Sequence, residues 1–324
     1  MIIMIRKIFL KLTIILLLGF VEKSIAQELI TEFSEFDMTN AIDMHVHSGP
    51  DIYQRSVTDY EAALTAKGLG FKAIVLKNHI ASTAARAEIL NQRDMGITVF
   101  GGIVLNKSVG GINLQAVENM MLMSPSYGRV VWLPTFDAST IADLHGQSAK
   151  LQVIDGDGNL VPELIEILEL IAKHNLILAT GHIKKKDIFK VVEKAIKLGV
   201  KRIVITHAMA DVPNLSVTEM QTLVSKGVFF ELTYLTYLSG ERAPIRSLRG
   251  SKHVDFSEMV KAIKIIGAEN FVISSDLGQS GNPIPSDGLR QFTLKLKEYG
   301  CSDRELKLVL IENPGFLLNS KVFK

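Results

Sequence analysis

A chain of 324 residues with 47% hydrophobic and 22% charged side chains has the composition of an ordinary globular protein, long enough to bury a large core without staples. A formal net charge of +2 argues against a nucleic-acid partner. The single cysteine, Cys301, excludes an internal disulfide.

Residues 1–26 read as a secretory signal peptide. Arg6, Lys7 and Lys11 precede the apolar run Leu12–Phe20, and Ser24-Ile25-Ala26 offers small residues for cleavage before Gln27. The run is short of the roughly 20 residues that span a bilayer, so no stable membrane anchor is expected after cleavage. Without this segment 32 basic and 33 acidic residues remain, so the basic balance belongs to the leader. The expectation is an exported protein, periplasmic or secreted, with one domain over residues 27–324.

From residue 40 onward short β-branched runs alternate with amphipathic stretches. Strands are predicted at 41–47, 71–77, 97–105, 130–134, 176–182, 202–207, 228–234 and 271–276. Helices are predicted at 58–67, 83–95, 113–123, 162–174, 185–198, 216–226, 255–266 and 287–299. The strands are apolar throughout, as in a parallel sheet covered on both faces. Eight βα units in strict alternation predict an α/β fold, a single (β/α)8 TIM barrel. A doubly wound sheet would want a Gly-rich phosphate turn after its first strand, and the HSGPD segment at 47–51 is not one.

Barrel enzymes place their chemistry at the C-terminal ends of the strands. Of eight histidines, five fall there: His45 and His47 after strand 1, His79 after strand 2, His182 after strand 5 and His207 after strand 6. Asp276 closes strand 8. A lone histidine on an apolar strand is more often a satisfied core residue. An ordered set of imidazoles with one carboxylate is instead the ligand set of Zn2+ and similar ions.

This ordered pattern resembles the amidohydrolase superfamily of metal-dependent hydrolases. Its members carry H-x-H after strand 1, His after strands 5 and 6, and Asp after strand 8. Here these are His45, His47, His182, His207 and Asp276, and the closing IENPGFLL at 311–318 is similar to the superfamily's Asn-Pro-Ala-x-Leu-Leu ending. The resemblance implies an amidohydrolase-like barrel and an enzyme that cleaves an amide, lactone or ester. One or two divalent ions are implied, zinc first, with Mn2+ or Fe2+ as alternatives. It implies no particular substrate. One departure concerns the lysine that bridges two metals after strand 4, where this chain reads Leu133-Pro134-Thr135-Phe136-Asp137. Lys77, after strand 2, is the remaining candidate: a carboxylated ligand, a cation for a substrate carboxylate, or the partner of an acid such as Asp137.

A metal at such a site acidifies water and polarises a carbonyl. Asp276 is expected to accept the water's proton and return it to the leaving group. His207 is expected either to ligate or to stabilise the oxyanion. His79 is a candidate substrate contact, with Glu231 in support from within strand 7. The loop 236–250 reads as a long lid, and its Arg242, Arg246 and Arg249 favour an anionic small molecule; Arg55 and Lys107 add to this. Competing readings are a mononuclear decarboxylase or hydratase of the same superfamily and a non-catalytic ligand-binding barrel. DGDGN at 155–159 suggests a calcium loop, but Leu160 stands where that loop needs glycine and Pro162 intrudes, so a tight hairpin is expected.

Overall fold

A computed structural model describes residues 36–140, 151–224 and 226–318; the expected signal peptide lies outside them. Eight strands run in chain order around one parallel sheet. They are β1 (Ile42–His47), β2 (Ala73–Lys77), β3 (Thr98–Val104), β4 (Gly128–Trp132), β5 (Ile177–Ala179), β6 (Ile203–Ile205), β7 (Val228–Thr233) and β8 (Phe271–Ser274). Only Arg129 and Phe229 among the strand residues are not fully buried, which explains why the runs are apolar at consecutive positions and not at alternate ones.

The crossovers are α1 (Asp59–Gly68), α2 (Ala84–Asn91), α3 (Leu114–Met123), α4 (Pro162–His174), α5 (Lys185–Lys197) and α6 (Val217–Val224). A short α7 (Tyr234–Leu238) and then α8 (Phe256–Ile266) complete them, and α9 (Pro285–Glu298) follows β8. Local chemistry starts several of these helices. Thr58 with Glu61 and Asp255 with Glu258 form capping boxes. Pro162 and Pro285 open α4 and α9, where a missing N–H costs nothing. Among the described residues no helix is long and apolar enough to cross a membrane.

Inside the barrel, Ile42, Met44, Val75, Phe100, Val130, Trp132, Val204 and Val272 form one apolar cluster. After α10 (Asp303–Lys307), the final helix α11 (Asn313–Leu318) sends Leu317 and Leu318 into that cluster from below. Asn313 Nδ2 donates to Ala268 O at 2.9 Å and Phe271 O at 2.7 Å. The Asn-Pro of the closing segment is therefore a plug under the start of β8.

Two expectations are corrected. The loop after β7 is not a structureless lid: β7 leads straight into α7, whose Tyr237 stacks on Phe256 at 3.9 Å, and a 3-10 turn covers Arg246–Leu248. The strands β5, β6 and β8 stop short, leaving His182, His207 and Asp276 in the first turns beyond them. The DGDGN segment is the expected hairpin: Asp155 Oδ1 accepts the N–H groups of Asp157 and Asn159, and Ile154 pairs with Leu160.

The barrel closes between β1 and β8. The pairing of β1 with β2 is irregular between Asp43 and Val46, and at the β8 side a carboxylate makes the join. Asp43 Oδ1 accepts the N–H of Ser275 at 3.0 Å and of His45 at 3.1 Å, while its Oδ2 is buried without a partner among the described residues. Burial raises the Asp43 carboxyl from 3.8 to about 7, against the lowering effect of those hydrogen bonds. The folded state therefore holds this proton more tightly than the unfolded chain. The stability it contributes is complete below pH ~4 and is lost as pH rises through about 7. Asp43→Asn keeps an accepting oxygen and has no proton to lose. Metal-free Asp43→Asn protein is expected to show a shallower fall in thermal stability between about pH 5 and 8 than the unsubstituted protein, by on the order of 1 kcal/mol. An equally steep fall would assign the pH dependence elsewhere.

Candidate metal centre

Alternate residues of a strand face one way, so β1 aims His45 and His47 together into the barrel mouth, ring centroids 5.1 Å apart. Asp276 arrives from the turn after β8. Its Oδ1 lies 2.9 Å from His45 Nε2 and 3.1 Å from His47 Nε2. The three donors fall within 4.8 Å of one another and all three residues are buried.

Glu231, inside β7, holds the back of this group. Its carboxylate accepts from His45 Nδ1–H at 3.2 and 3.3 Å and from the His207 backbone N–H at 3.1 Å. With Nδ1 donating, Nε2 is the His45 atom that faces forward, and it ligates a metal once its proton is displaced. This is the carboxylate–histidine arrangement that fixes a metal-ligating ring. His207 is set the same way by a carbonyl: its Nδ1–H donates to Val212 O at 2.8 Å, which turns Nε2 outward as a lone pair. The His182 ring lies 4.8 Å from that of His207.

The backbone is strained where these residues sit. His207 and Asp276 have φ values of 30° and 54°, a region non-glycine residues rarely occupy without a constraint from their surroundings. Two glycines make the close approaches possible. A Cβ on Gly278 would fall 1.7 Å from His47 O, and one on Gly181 would fall 2.2 Å from Leu133 O.

Lys77 is fully buried, with Nζ 2.9 Å from His45 Nε2 and 5.5 Å from the Trp132 ring. It does not pair with Asp137, whose Oδ2 accepts the backbone N–H of Lys107 instead. His79 stacks on His47 at 4.9 Å and on Phe136 at 3.8 Å. Arg242 and Arg246, expected at the substrate, are exposed, and no described contact joins them to the histidines. The cation that does reach the group is Arg55. Its side chain is 6% exposed and is held by Asp51; burial is the main force that lowers the pKa of His47, His79 and Lys77, and the Arg55 charge adds to it. Asn106 and Thr135, which brace His79, carried no catalytic signal in the sequence. Both sit just past the ends of apolar runs and read as ordinary loop starts.

Burial keeps most of the imidazoles neutral. It pushes His47 down to about 3, against the pull of Asp276, and lowers His79, His182 and His207. Burial would raise Asp276, but the imidazoles of His45 and His47 hold it well below 3.8. His45 is the exception: burial disfavours its charge, yet Asp276 and Glu231 outweigh this and raise it to about 9.

The donor set fits a divalent cation. It offers two imidazole nitrogens and a carboxylate, the usual ligands for zinc. Nδ1 of His47 and Nδ1 of His182 are also buried with no hydrogen-bond partner among the described residues, lone pairs or N–H groups that a closed protein core would normally satisfy. Among the described residues only His45, His47 and Asp276 come close enough to share one ion; His182 and His207 stand beside that group and outside it.

The eight-stranded barrel with this site at its C-terminal mouth has the (β/α)8 fold that solved amidohydrolases share. Residues 40–231 match the model of a family of unknown function, DUF6282, and the chain belongs to that family. Similar solved structures share the architecture at low identity. A Pseudomonas aeruginosa protein assigned as a dipeptidase superposes with a TM-score of 0.61 at 14% identity, over 90% of this chain and 98% of that one. A Pseudomonas putida protein assigned as a 2-pyrone-4,6-dicarboxylic acid hydrolase gives 0.58 at 18% identity, over 87% and 98%. An organophosphorus hydrolase from Deinococcus radiodurans gives 0.55 at 15%, over 87% and 93%. At such identities the likeness shows the fold. No curated protein matches the chain.

Glu231 is the support whose loss separates orientation from ligation. Glu231→Gln keeps the shape but weakens the acceptor behind His45. Zinc affinity is expected to fall about 10- to 100-fold, measured by competition with a chromophoric chelator. An unchanged affinity would show that Glu231 does not orient the ligand.

Proposed function

We propose that this chain is an exported, zinc-dependent hydrolase that cleaves an amide, lactone or ester of an anionic small molecule, with one ion held by His45, His47 and Asp276. The observation that carries this reading is the convergence of those three donors, with Glu231 fixing the tautomer of His45. When bound there, the ion supplies an acidified water and a polarised carbonyl.

The chain's own residues do the rest. Asp276 turns Oδ1 to the two histidines, so Oδ2 is the atom assigned to take a proton from the attacking water and pass it to the leaving group. His207 presents a lone pair at Nε2, because its Nδ1–H is committed to Val212 O. That suits a ligand or an acceptor better than an oxyanion donor. Lys77 brings its Nζ beside His45 as the contact for a substrate carboxylate or oxyanion, with Asp276 and Glu231 opposing the loss of charge that burial favours, and Arg55 adds positive potential at the same mouth. An anionic lactone is consistent with the Pseudomonas putida neighbour, assigned to a pyrone dicarboxylic acid. Export rests on the pattern of residues 1–26.

A one-ion group and the absence of a lysine at the end of β4 also support a second reading, a decarboxylase or hydratase. Product analysis separates the two: hydrolysis adds water across an acyl bond, whereas decarboxylation releases CO2.

The test uses residues 27–324 loaded with zinc and a panel of carboxylate-bearing lactones, esters and amides. About one zinc per chain is expected, with turnover of at least one class. His45→Ala/His47→Ala is expected to lose both the metal and the turnover. A double variant that keeps full activity would sink the proposal, and a zinc-loaded protein silent on every class would point to a ligand-binding barrel.

A further inference from the structure

Behind His79 lies a hydrogen-bond chain in which every proton can be placed. Asn106 sets its direction. The Asn106 Oδ1 accepts the backbone N–H of Thr135 at 2.9 Å and of Asp137 at 3.3 Å, so the amide cannot be turned over without facing two donors with another donor. Its Nδ2 therefore donates, to His79 O at 2.9 Å and to Thr135 Oγ1 at 2.8 Å. Thr135 is fully buried, and its hydroxyl already accepts from Asn106. Among the described residues, the only acceptor within reach of its own proton is His79 Nδ1, 2.9 Å away. A proton on Nδ1 would leave the threonine O–H buried and unpaired, the costly outcome for a hydroxyl. Thr135 thus donates to Nδ1, and the ring proton of His79 resides on Nε2.

The ring cannot swing to another partner. It is 5% exposed and lies between His47 and Phe136, each within 20° of parallel. Among the described residues, nothing accepts from Nε2.

We propose that His79 is a locked hydrogen-bond donor, neither ligand nor base: Asn106 and Thr135 hold it as the Nε2–H tautomer, and that N–H binds a carbonyl or carboxylate oxygen of the substrate beside Lys77. Thr135 and Asn106 are positioning residues, acting through His79. The tautomer is independent of the hydrolase reading; the identity of the acceptor oxygen rests on it.

The test is nitrogen NMR of the zinc-loaded protein labelled with 15N-histidine, with His79→Gln identifying the resonances. In the unsubstituted protein Nδ1 of His79 is expected to appear unprotonated and Nε2 protonated. Thr135→Val, which keeps the shape and removes the hydroxyl, is expected to shift His79 toward the Nδ1–H form or a mixture. Thr135→Ser is expected to restore it. Acetate, the simplest carboxylate acceptor, is expected to move the Nε2–H signal in the unsubstituted protein and in Thr135→Ser. A protonated Nδ1 in the unsubstituted protein, or a Thr135→Val spectrum identical to it, would overturn the lock. An Nε2–H unmoved by acetate at any concentration the protein tolerates would overturn the substrate-facing role. None of these readouts needs turnover, so an inactive protein would count against the hydrolase reading and leave this one to be judged separately.

Discussion

The join between the first strand and the last is the constraint on which the site depends. His45 O accepts the Asp276 N–H at 2.9 Å and the Ser275 hydroxyl at 3.2 Å, and His47 N–H donates to Leu277 O at 2.8 Å. The backbone bonds that close the barrel are thus made by the candidate ligand residues themselves. Asp43 continues the join one step below, with a side-chain oxygen in place of a carbonyl. Register at this seam and geometry at the metal group are one property. A slip of one residue in β1 would turn both imidazoles out of the mouth.

Above that seam the molecule concentrates groups that are expensive to bury. Asp43, His45, Lys77, Glu231 and Asp276 are all under 10% exposed. Charges in such a place survive only when paired and hydrogen-bonded. Glu231 accepts from the His45 ring and the His207 backbone, Asp276 Oδ1 lies against the rings of His45 and His47, and the field of both carboxylates opposes the lowering that burial imposes on Lys77. The arrangement is polar throughout, and its walls are the apolar strands below and the Phe136–Tyr53 edge contact at the rim.

Much of this was legible in the sequence because period and punctuation agreed. Apolar runs marked the eight strands, and helices such as Pro162–His174 and Phe256–Ile266 fell where the amphipathic stretches and caps put them. Histidines at strand ends marked the mouth. What escaped was whatever depends on contacts between distant segments. Asp43 carried no signal of its own in the strand, because only barrel closure shows what its oxygen accepts. Asn106 and Thr135 meet across β3 and β4, 29 residues apart. Arginines in the loop after β7 were conspicuous in the sequence but remain exposed, whereas Arg55, less conspicuous, is the one brought inward. That loop stays long but is not structureless: it opens in a short helix whose Tyr234 and Tyr237 pack on Phe256.

His47 and Asp276 touch across 229 residues of sequence. The ligand set is therefore drawn from the two ends of the barrel, and no shorter stretch contains it. A chain growing from its N-terminus presents His45 and His47 long before their carboxylate partner exists, and the pair gains it only when β8 docks against β1. Loop closure of that span is among the slowest contacts a fold can make. The three donors come together only when β8 has docked against β1, so an ion held by all three would mark a closed barrel.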